Sequence, residues 1–160
     1  MQDISFDEEH LPNFHKVSER LYRGGQPSPE GFAHLKRLGV RTIVNLRDEY
    51  FYVAGEAELL KQLGLNYVSI PLSPFVRPSD GEIDRFLNVL AYDLHQPHFV
   101  HCLHGQDRTG TMISIHRMHA HGWPLDQAYA EALEHGFHPQ FDMLKKAVHD
   151  FARLRTTRQD

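Results

Sequence analysis

The chain contains 160 residues, which is the usual length of a single domain. Hydrophobic residues make up 41% of it and charged residues 24%, values that are ordinary for a globular protein and exclude a disordered or low-complexity chain. The formal net charge of −4 argues against general nucleic-acid binding, because that function draws on a basic surface. No apolar run approaches the roughly 18 residues of a membrane-spanning helix, so we expect neither nucleic-acid binding nor membrane insertion.

The chain has a single cysteine, Cys102, which excludes an internal disulfide. A lone thiol is typical of a reducing compartment and raises the question of a reactive residue. The first ten residues, MQDISFDEEH, are acidic and lack the apolar stretch of a secretory signal. We therefore expect a cytoplasmic protein, and we expect it to be a monomer.

The first half of the chain alternates short β-branched segments with segments of helical spacing. Residues 1–18 are polar with scattered apolar positions and predict an irregular lead-in to a domain at 19–157. Strands and helices are marked by their glycine and proline boundaries. The predicted elements are, in order, a strand at 21–23, a helix opened by residues 27–29 and stopped at Gly39, a strand at 41–46, a helix at 55–63 and a strand at 67–70.

The second half is predominantly helical. A proline-containing loop precedes Ser79 and Glu82, which fit the capping box that starts a helix. The following residues repeat apolar positions at helical spacing, so this helix is expected to pack against a core. The predicted elements are a loop at 72–78, a helix with an apolar stripe over 83–94, a strand at 98–102, a helix at 109–120, and helices with Pro124 and Pro139 as first residues.

The alternation of strands with helices predicts an α/β fold. Its centre would be a mostly parallel sheet of about four or five strands flanked by helices. In open sheets of this kind the ligand lies beyond the carboxyl ends of the strands. That rule directs attention to the segments 45–48, 70–79 and 101–108.

The residues that carry chemistry lie in the segment HCLHGQDRTG at 101–110. A cysteine ends the strand, a short turn follows, and Arg108 opens a helix. The amides of such a turn converge on one point as an anion nest, and the helix N-terminus adds partial positive charge. The planar guanidinium of Arg108 suits bidentate phosphate binding. The same field favours a thiolate, so the segment predicts a nucleophile, Cys102, inside a phosphate-binding loop between strand and helix.

This segment resembles the signature H-C-x-x-G-x-x-R-[ST] of the cysteine-dependent protein tyrosine phosphatase superfamily, and every fixed position is met. The stretches LYRGGQP at 21–27 and GVRTIVNLR at 39–47 look like those of small atypical dual-specificity phosphatases of the bacterial and the plant-and-fungal type. The resemblance spans about residues 20–150. It implies one catalytic domain at 19–157 that hydrolyses phosphate monoesters through a phosphocysteine, with a phosphorylated substrate as partner and with no metal or other cofactor.

The resemblance also assigns roles by position. Cys102 would be the nucleophile, Arg108 would bind the phosphate oxygens, and Thr109 would hydrogen-bond the departing sulfur. The supporting residues would be His101, which tunes the thiol, and Gly105 and Gly110, which allow backbone positions that a Cβ hinders. Substrate would be bound by the residues of the loop, namely Leu103, His104, Gly105, Gln106, Asp107 and Arg108.

The general acid is where this chain departs from the family pattern. The family carries an aspartate on the loop after the strand equivalent to 67–70, but residues 66–79 contain no carboxylate. Asp80 is the leading candidate, although its place in the first turn of a capped helix also explains it. Asp48 and Asp107 are the alternatives, and the choice of Asp84, Glu49 or no protein acid also stays open.

The sequence leaves the substrate open among phosphoproteins, phosphoinositides or inositol phosphates, and small phosphate esters. Relatives that act on inositol polyphosphates often have lysines in the loop, and this chain has none there, whereas an aspartate before the arginine also occurs in such relatives. A non-catalytic relative that docks phosphorylated partners is the rival hypothesis. Arg47 and Arg77 are interpreted as surface charges on loops that face the site, and the 13 histidines as surface or core residues rather than metal ligands.

Overall fold

The computed structural model describes residues 7–158, which form a five-stranded sheet with helices on both faces. The strands are β1 (His15–Ser18), β2 (Leu21–Gly24), β3 (Thr42–Asn45), β4 (Asn66–Ser69) and β5 (His98–His101). The helices are α1 (Pro29–Arg37), α2 (Tyr50–Leu63), α3 (Asp80–Ala91), α4 (Arg108–Ala120), α5 (Leu125–Glu134) and α6 (Asp142–Arg158), with a short 3₁₀ helix at Asp93–His95. The predicted α/β class is confirmed.

The strand order is β1-β2-β5-β3-β4, so β5 is the central strand. It runs parallel to β2 and β3, and β3 runs parallel to β4, while β1 pairs antiparallel with β2. The last residues of the three middle strands, Gly24, His101 and Asn45, lie side by side in this register. The loops that leave these strands therefore meet at one edge of the sheet, where open α/β sheets bind ligands.

The two faces of the sheet bury separate cores, because neighbouring residues of a strand point to opposite sides. Val44 and Val100 belong to a core that includes buried residues of α3 and α4. Ile43 and Phe99 belong to a second core shared with α1 and α2. Helix α4 itself is buried over most of its length. The loop between β5 and α4 is therefore anchored at both ends in rigid structure.

Two predicted boundaries in the first half of the chain are wrong. The irregular lead-in assigned to residues 1–18 ends in a strand, because His15–Ser18 pair with β2; residues 1–6 lie outside the described residues. Helix α2 begins at Tyr50 rather than at 55, directly after the loop that leaves β3. Periodicity misses this first turn because its aromatic residues are exposed, Tyr50 by 77% and Phe51 by 88%, and form no core-facing stripe.

Helix α3 begins with the predicted capping box. The Ser79 hydroxyl accepts a hydrogen bond from the Glu82 amide, and the Glu82 carboxylate accepts one from the Ser79 amide. The apolar stripe is buried as far as Leu90, but its extension to Leu94 is wrong. The helix ends at Ala91, and the Leu94 residue is 70% exposed.

The prolines at 124 and 139 do not occupy the first helical position. Pro124 is the N-cap of α5 with an extended backbone, and α6 begins at Asp142. The fixed φ of proline suits an extended cap as well as a first turn, so the pattern does not separate the two. Of the helices in the described part of the chain, none has the length and hydrophobicity that a membrane crossing requires.

Candidate functional site

Cys102 follows the last residue of β5 and begins a turn that ends where Arg108 opens α4; we call residues 102–107 the cysteine loop. Cys102 is buried, with 3% of its surface exposed. Gly105 has a φ of +72°, a left-handed conformation that favours glycine. Within the described residues, the amides of 103–107 donate no hydrogen bond to another protein group. Amides that remain available as donors in this way are what an anion nest requires.

Glycines allow the cysteine loop to pack directly on the end of β2. A Cβ built on Gly105 would lie 2.4 Å from the carbonyl carbon of Gly24, and one on Gly25 would lie 2.9 Å from the carbonyl carbon of His104. The amide of Gln26 also donates to a loop carbonyl at 2.9 Å. Gly24 and Gly25, which follow the predicted strand at 21–23, therefore form the surface on which the loop packs.

A buried cation, Arg23 of β2, supports the cysteine loop. Only 1% of the residue is exposed. Its guanidinium donates to the Gly105 carbonyl at 3.1 Å, and the side-chain amide of Asn13 donates to the same carbonyl at 3.2 Å. Burial lowers the pKa of Arg23 to about 10, so the side chain is still charged at neutral pH. Its charge also interacts with Cys102, and it favours negative charge in the loop.

Arg108 is 6% exposed and is held by the loops that leave β3 and β4. One terminal nitrogen donates to the Asp48 carboxylate and to the Leu72 carbonyl, both at 3.0 Å. The other terminal nitrogen lies 3.4 Å from a carboxylate oxygen of Glu49. The two carboxylates thus engage guanidinium donors of the kind that a phosphate group uses.

A chain of hydrogen bonds connects the cysteine loop to α2. Nε2 of His101 lies 2.7 Å from the Glu56 carboxylate, and Nδ1 lies 3.0 Å from the Cys102 carbonyl. The other Glu56 oxygen accepts from the Gln26 side-chain amide at 2.6 Å, and the Gln26 oxygen accepts from Arg47 at 2.9 Å. Arg47 is only 3% exposed, so its interpretation as a surface charge is wrong.

Thr109 and Gly110 are placed differently from expectation. Thr109 is fully buried, and its hydroxyl has no hydrogen-bond partner in the described part of the chain, the Cys102 sulfur included. A Cβ added at Gly110 would lie 3.6 Å from the side chains of Ala132 and Phe137, which is ordinary van der Waals contact. The expected steric need for glycine is therefore wrong at 110, whereas the contacts at Gly105 support it.

Asp80, the leading candidate for the general acid, does not contact the cysteine loop. Its side chain is 77% exposed, and its carboxylate pairs with Arg77 at 3.3 Å. Arg77 in turn binds Asp150 of α6 at 2.9 Å, which holds this group of charges beside α6. The contacts of Arg77 contradict the expectation that it faces the site, and they do not favour Asp80 as the acid, which stays a prediction. Asp48 is the candidate that the structure brings to Arg108.

The second half of the cysteine loop is held by the segment between α5 and α6. The Asp107 carboxylate accepts hydrogen bonds from the backbone amide of His138 at 2.8 Å and lies 3.0 Å from its Nδ1. The Gln106 side chain lies against Gly136, where an added Cβ would approach it to 2.7 Å. These contacts give Asp107 a structural role as the anchor of the loop. Leu103 is the loop residue with an exposed apolar side chain, at 38%.

The histidines, which are interpreted from the sequence as surface or core residues, differ in their surroundings. His98 is 1% exposed, whereas His138 binds the loop aspartate. Among the described residues, the one group with the geometry to hold a metal ion is the set of Asp7, Glu9 and His10. This group belongs to the N-terminal segment and not to the cysteine loop.

Sequence reasoning did not single out Arg23 or Glu56 as residues of the site. Arg23 lies in a strand between apolar neighbours, and Glu56 precedes the buried Leu60 by one helical turn, so both occupy core-facing positions. Charged side chains are almost never fully buried unless they are paired. A charge at a core-facing position is thus the signal that could have identified these two residues.

A family model described as "DSP-PTPase phosphatase fused to NAD+ Kinase" matches residues 6–150. The chain belongs to this family. The match extends from before β1 into α6, so it includes the whole sheet, the cysteine loop and the residues that hold Arg108.

The curated relatives of this chain include phosphatases of bacteria and plants. TpbA, a dual specificity protein phosphatase of Pseudomonas aeruginosa, is 32% identical over 132 residues, which cover 82% of this chain and 58% of TpbA. Inositol diphosphatase DSP3 of Arabidopsis thaliana is 31% identical over 125 residues, covering 74% of this chain and 60% of the relative. The chain therefore spans about three fifths of the length of these relatives.

Solved structures share the fold. The crystal structure of P. aeruginosa TpbA superposes with a TM-score of 0.78 at 25% identity, covering 98% of this chain and 95% of that one. The catalytic core of Siw14 from S. cerevisiae superposes with a TM-score of 0.73 at 22% identity, covering 94% of each chain. The architecture described above is thus the one found in these phosphatases.

Proposed function

We propose that the protein is a metal-independent phosphatase that hydrolyses phosphate monoesters through a phosphocysteine intermediate. The observation that carries the proposal is the cysteine loop, in which the available amides of residues 103–107 follow a buried Cys102. Arg108 and Arg23 add two cations to the same region. Membership of the DSP-PTPase phosphatase family supports this reading.

The proposed reaction has two steps. In the first, the Cys102 thiolate attacks phosphorus, the P–S bond forms, and the ester P–O bond breaks as the leaving oxygen takes up a proton. In the second, water attacks the phosphocysteine and gives a proton to the carboxylate left by the general acid, the P–S bond breaks, and phosphate leaves while the thiolate is restored. Negative charge builds on the equatorial oxygens in both transition states, where the loop amides and the Arg108 guanidinium would donate hydrogen bonds.

Arg108 is oriented for this role by Asp48, Glu49 and Leu72. Oxygens of a bound phosphate would replace the carboxylate oxygens of Asp48 and Glu49 as hydrogen-bond acceptors of the Arg108 guanidinium. The Leu72 carbonyl can keep its hydrogen bond. Because the side chain is already held at the loop, little conformational entropy is lost on binding.

We assign the general acid to Asp48. Its carboxylate contacts Arg108 at 3.0 Å, and its side chain is 41% exposed. When a phosphate dianion takes over Arg108, the negative charge beside Asp48 favours the protonated form of this carboxyl group. Asp48 could then give its proton to the leaving oxygen of the ester.

The surroundings of the site favour a phosphoprotein over an inositol polyphosphate. Tyr50 and Phe51 are exposed directly after the carboxylates that hold Arg108, and Leu103 exposes an apolar side chain on the loop itself. Apolar surface suits the side chains around a phosphorylated residue but offers nothing to the many anionic groups of an inositol polyphosphate. A structure of TpbA in complex with pTyr supports this substrate class, whereas the name of DSP3 supports inositol phosphates as the second candidate.

We further propose that the protein acts as a cytoplasmic monomer on its phosphorylated partner. Cys102 must be reduced to act as a nucleophile, and it is the only cysteine of the chain. A reducing compartment maintains that state. Light scattering on the purified protein should give the mass of one chain, and a dimer mass would contradict the proposal.

Turnover of an aryl phosphate in the presence of EDTA tests the activity and separates it from the rival, a phosphate-docking protein. We expect turnover by the wild type and none by Cys102→Ser, because the serine hydroxyl is not ionised near neutral pH. The same variant should still bind inorganic phosphate, since the loop amides are unchanged. Residual turnover of more than a few per cent in Cys102→Ser would refute the phosphocysteine mechanism, and phosphate binding without turnover by the wild type would favour the rival.

A second panel compares substrate classes at equal concentration. Phosphotyrosine and phosphoserine peptides with apolar neighbours should be hydrolysed faster than inositol polyphosphates, because the exposed aromatic residues beside the loop contact only the former. The reverse order would assign the site to inositol phosphates.

A further inference from the structure

We infer that Glu56 is a positioning residue that holds His101 as a doubly protonated imidazolium beside the nucleophile. The inference rests on the proposed function, because its importance depends on Cys102 acting as a thiolate. Both side chains are buried, His101 with 0% and Glu56 with 4% of the side chain exposed. The two side chains form a buried pair, and the protonation of this pair follows from its hydrogen-bond partners.

The first constraint comes from Nδ1 of His101, which lies 3.0 Å from the backbone carbonyl of Cys102. A carbonyl oxygen only accepts hydrogen bonds, so Nδ1 must carry a proton. The remaining nitrogen, Nε2, lies 2.7 Å from the Glu56 carboxylate. The charge of His101 therefore depends on whether the proton between Nε2 and Glu56 resides on the ring or on the carboxyl group.

The second constraint comes from the far side of Glu56. Arg47 has only donors, so the Gln26 oxygen must be the group that accepts from it at 2.9 Å. The Gln26 amide nitrogen then faces Glu56 and donates to its other oxygen at 2.6 Å. Hydrogen bonds donated to a carboxylate favour its ionised form. This chain of donors, which begins at the permanent cation of Arg47, favours a Glu56 carboxylate and leaves the shared proton on His101.

The pair contributes a local dipole to the charges around Cys102. Its positive member, His101, immediately precedes the cysteine, while Glu56 contacts the ring nitrogen that does not face the Cys102 carbonyl. Arg23 and Arg108 are the other cations of the loop region, and the anions facing it are Asp48, Glu49 and Asp107. The imidazolium therefore adds to the positive charge that favours a thiolate, and Glu56 is the hydrogen-bond partner that holds the second proton on the ring.

Glu56→Gln tests this role, because the new amide has the same shape and fits a neutral His101. Its oxygen can still accept from Gln26, and its nitrogen can donate to Nε2, so the packing survives while the imidazolium is lost. The rate of Cys102 alkylation by iodoacetamide, measured against pH by intact mass, reports the thiolate. We expect the pH midpoint of alkylation to rise by about one unit in Glu56→Gln, equivalent to a tenfold lower thiolate fraction below the midpoint.

Glu58→Gln is the matched control, since Glu58 lies on the exposed side of the same helix. Its alkylation midpoint should equal that of the wild type. A Glu56→Gln profile that superimposes on both would overturn the inference. The alkylation measurement requires no substrate, so the inference and the proposed function can fail separately. If the alkylation midpoint rises in Glu56→Gln but the wild type shows no phosphatase turnover, only the proposed function is refuted.

The wild-type protein offers a second test if Glu56→Gln does not fold. In a ¹H–¹⁵N NMR spectrum at pH 7.5, both ring nitrogens of His101 should show the shifts of protonated imidazole nitrogens. One protonated and one bare nitrogen would identify a neutral ring and refute the inference without any variant.

Discussion

Replacing Asp48 by asparagine should separate substrates according to the acidity of their leaving groups. The serine side chain of a phosphoserine peptide leaves as an alkoxide unless its ester oxygen is protonated. Loss of the general acid should therefore lower kcat for this substrate by roughly 10²–10⁴-fold. An aryl phosphate with an acidic phenol needs little protonation, and its kcat should fall by less than about tenfold. The ratio of the two rates is therefore the quantity to measure.

The contacts of Arg108 allow this effect to be separated from a binding defect. An asparagine at 48 keeps an oxygen that can accept from the guanidinium at the same place, and the Leu72 carbonyl and Glu49 remain. Removal of one negative charge next to the bound dianion should leave KM unchanged or lower it. For the alkyl substrate, the alkaline limb of the pH profile of kcat, which reports an essential acid, should disappear in Asp48→Asn.

Asp80→Asn and Asp107→Asn are the matched controls among the other candidate carboxylates. Asp80 pairs with Arg77, so its variant should retain wild-type rates on both substrates. Asp107 anchors the loop to His138, so its variant should lower the two rates by a similar factor. If Asp48→Asn lowers both substrates equally, or if Asp80→Asn shows the selective loss, the assignment of the acid is refuted.

The remaining predictions address the loop, its arginine, its thiol and acid stability. Gly105→Ala should lower kcat/KM by about 10²-fold, because a Cβ 2.4 Å from the Gly24 carbonyl carbon forces a backbone shift, and rates near the wild type would contradict this. Arg108→Lys should cost roughly 10²–10³-fold in kcat/KM and also weaken phosphate binding, since lysine lacks the planar fork; equal binding in the two proteins would argue against it. Peroxide should add two or three oxygens to Cys102 after long exposure, because no second cysteine can trap the sulfenic acid, and inorganic phosphate should slow this gain; complete recovery by reductant would disprove it. Burial lowers the pKa of His98 from 6.5 to about 4, so this histidine binds a proton at higher pH in the unfolded chain than in the folded one. The free energy of unfolding should therefore fall as the pH is lowered from 6.5 to 4, by up to about 1.4 kcal/mol per pH unit. The accompanying fall in Tm should be smaller in His98→Gln, and an equal fall in the two proteins would contradict this.

The parts of the structure that the sequence predicts are those encoded by neighbouring residues. The strand segments, the Ser79 capping box and the glycine at 105 depend on a few consecutive positions, and the structure has each of them. The cysteine loop is predictable for the same reason, since its nucleophile, amides and arginine lie within seven residues. Its environment is not contained in that segment.

The parts that escape prediction are contacts between distant positions. Arg23 lies 82 residues from its partner Gly105, and Glu56 lies 45 residues from His101. Asp48 and Arg108 are 60 residues apart, whereas the family pattern directs attention to the loop just before α3. Nothing in the local sequence states which carboxylate faces the arginine, because that choice is made by the strand order.

The strand order also explains why the supporting residues come from two different parts of the chain. β5 is central, so the cysteine loop has one neighbour on each side: the end of β2 and the end of β3. The β2 side supplies the buried cation Arg23 and the glycines on which the loop packs. The β3 side supplies Asp48 and Glu49, which orient the arginine. A cysteine loop on an edge strand would have only one of these neighbours, so the same ten-residue motif would lack either the cation beneath the loop or the carboxylates that hold Arg108.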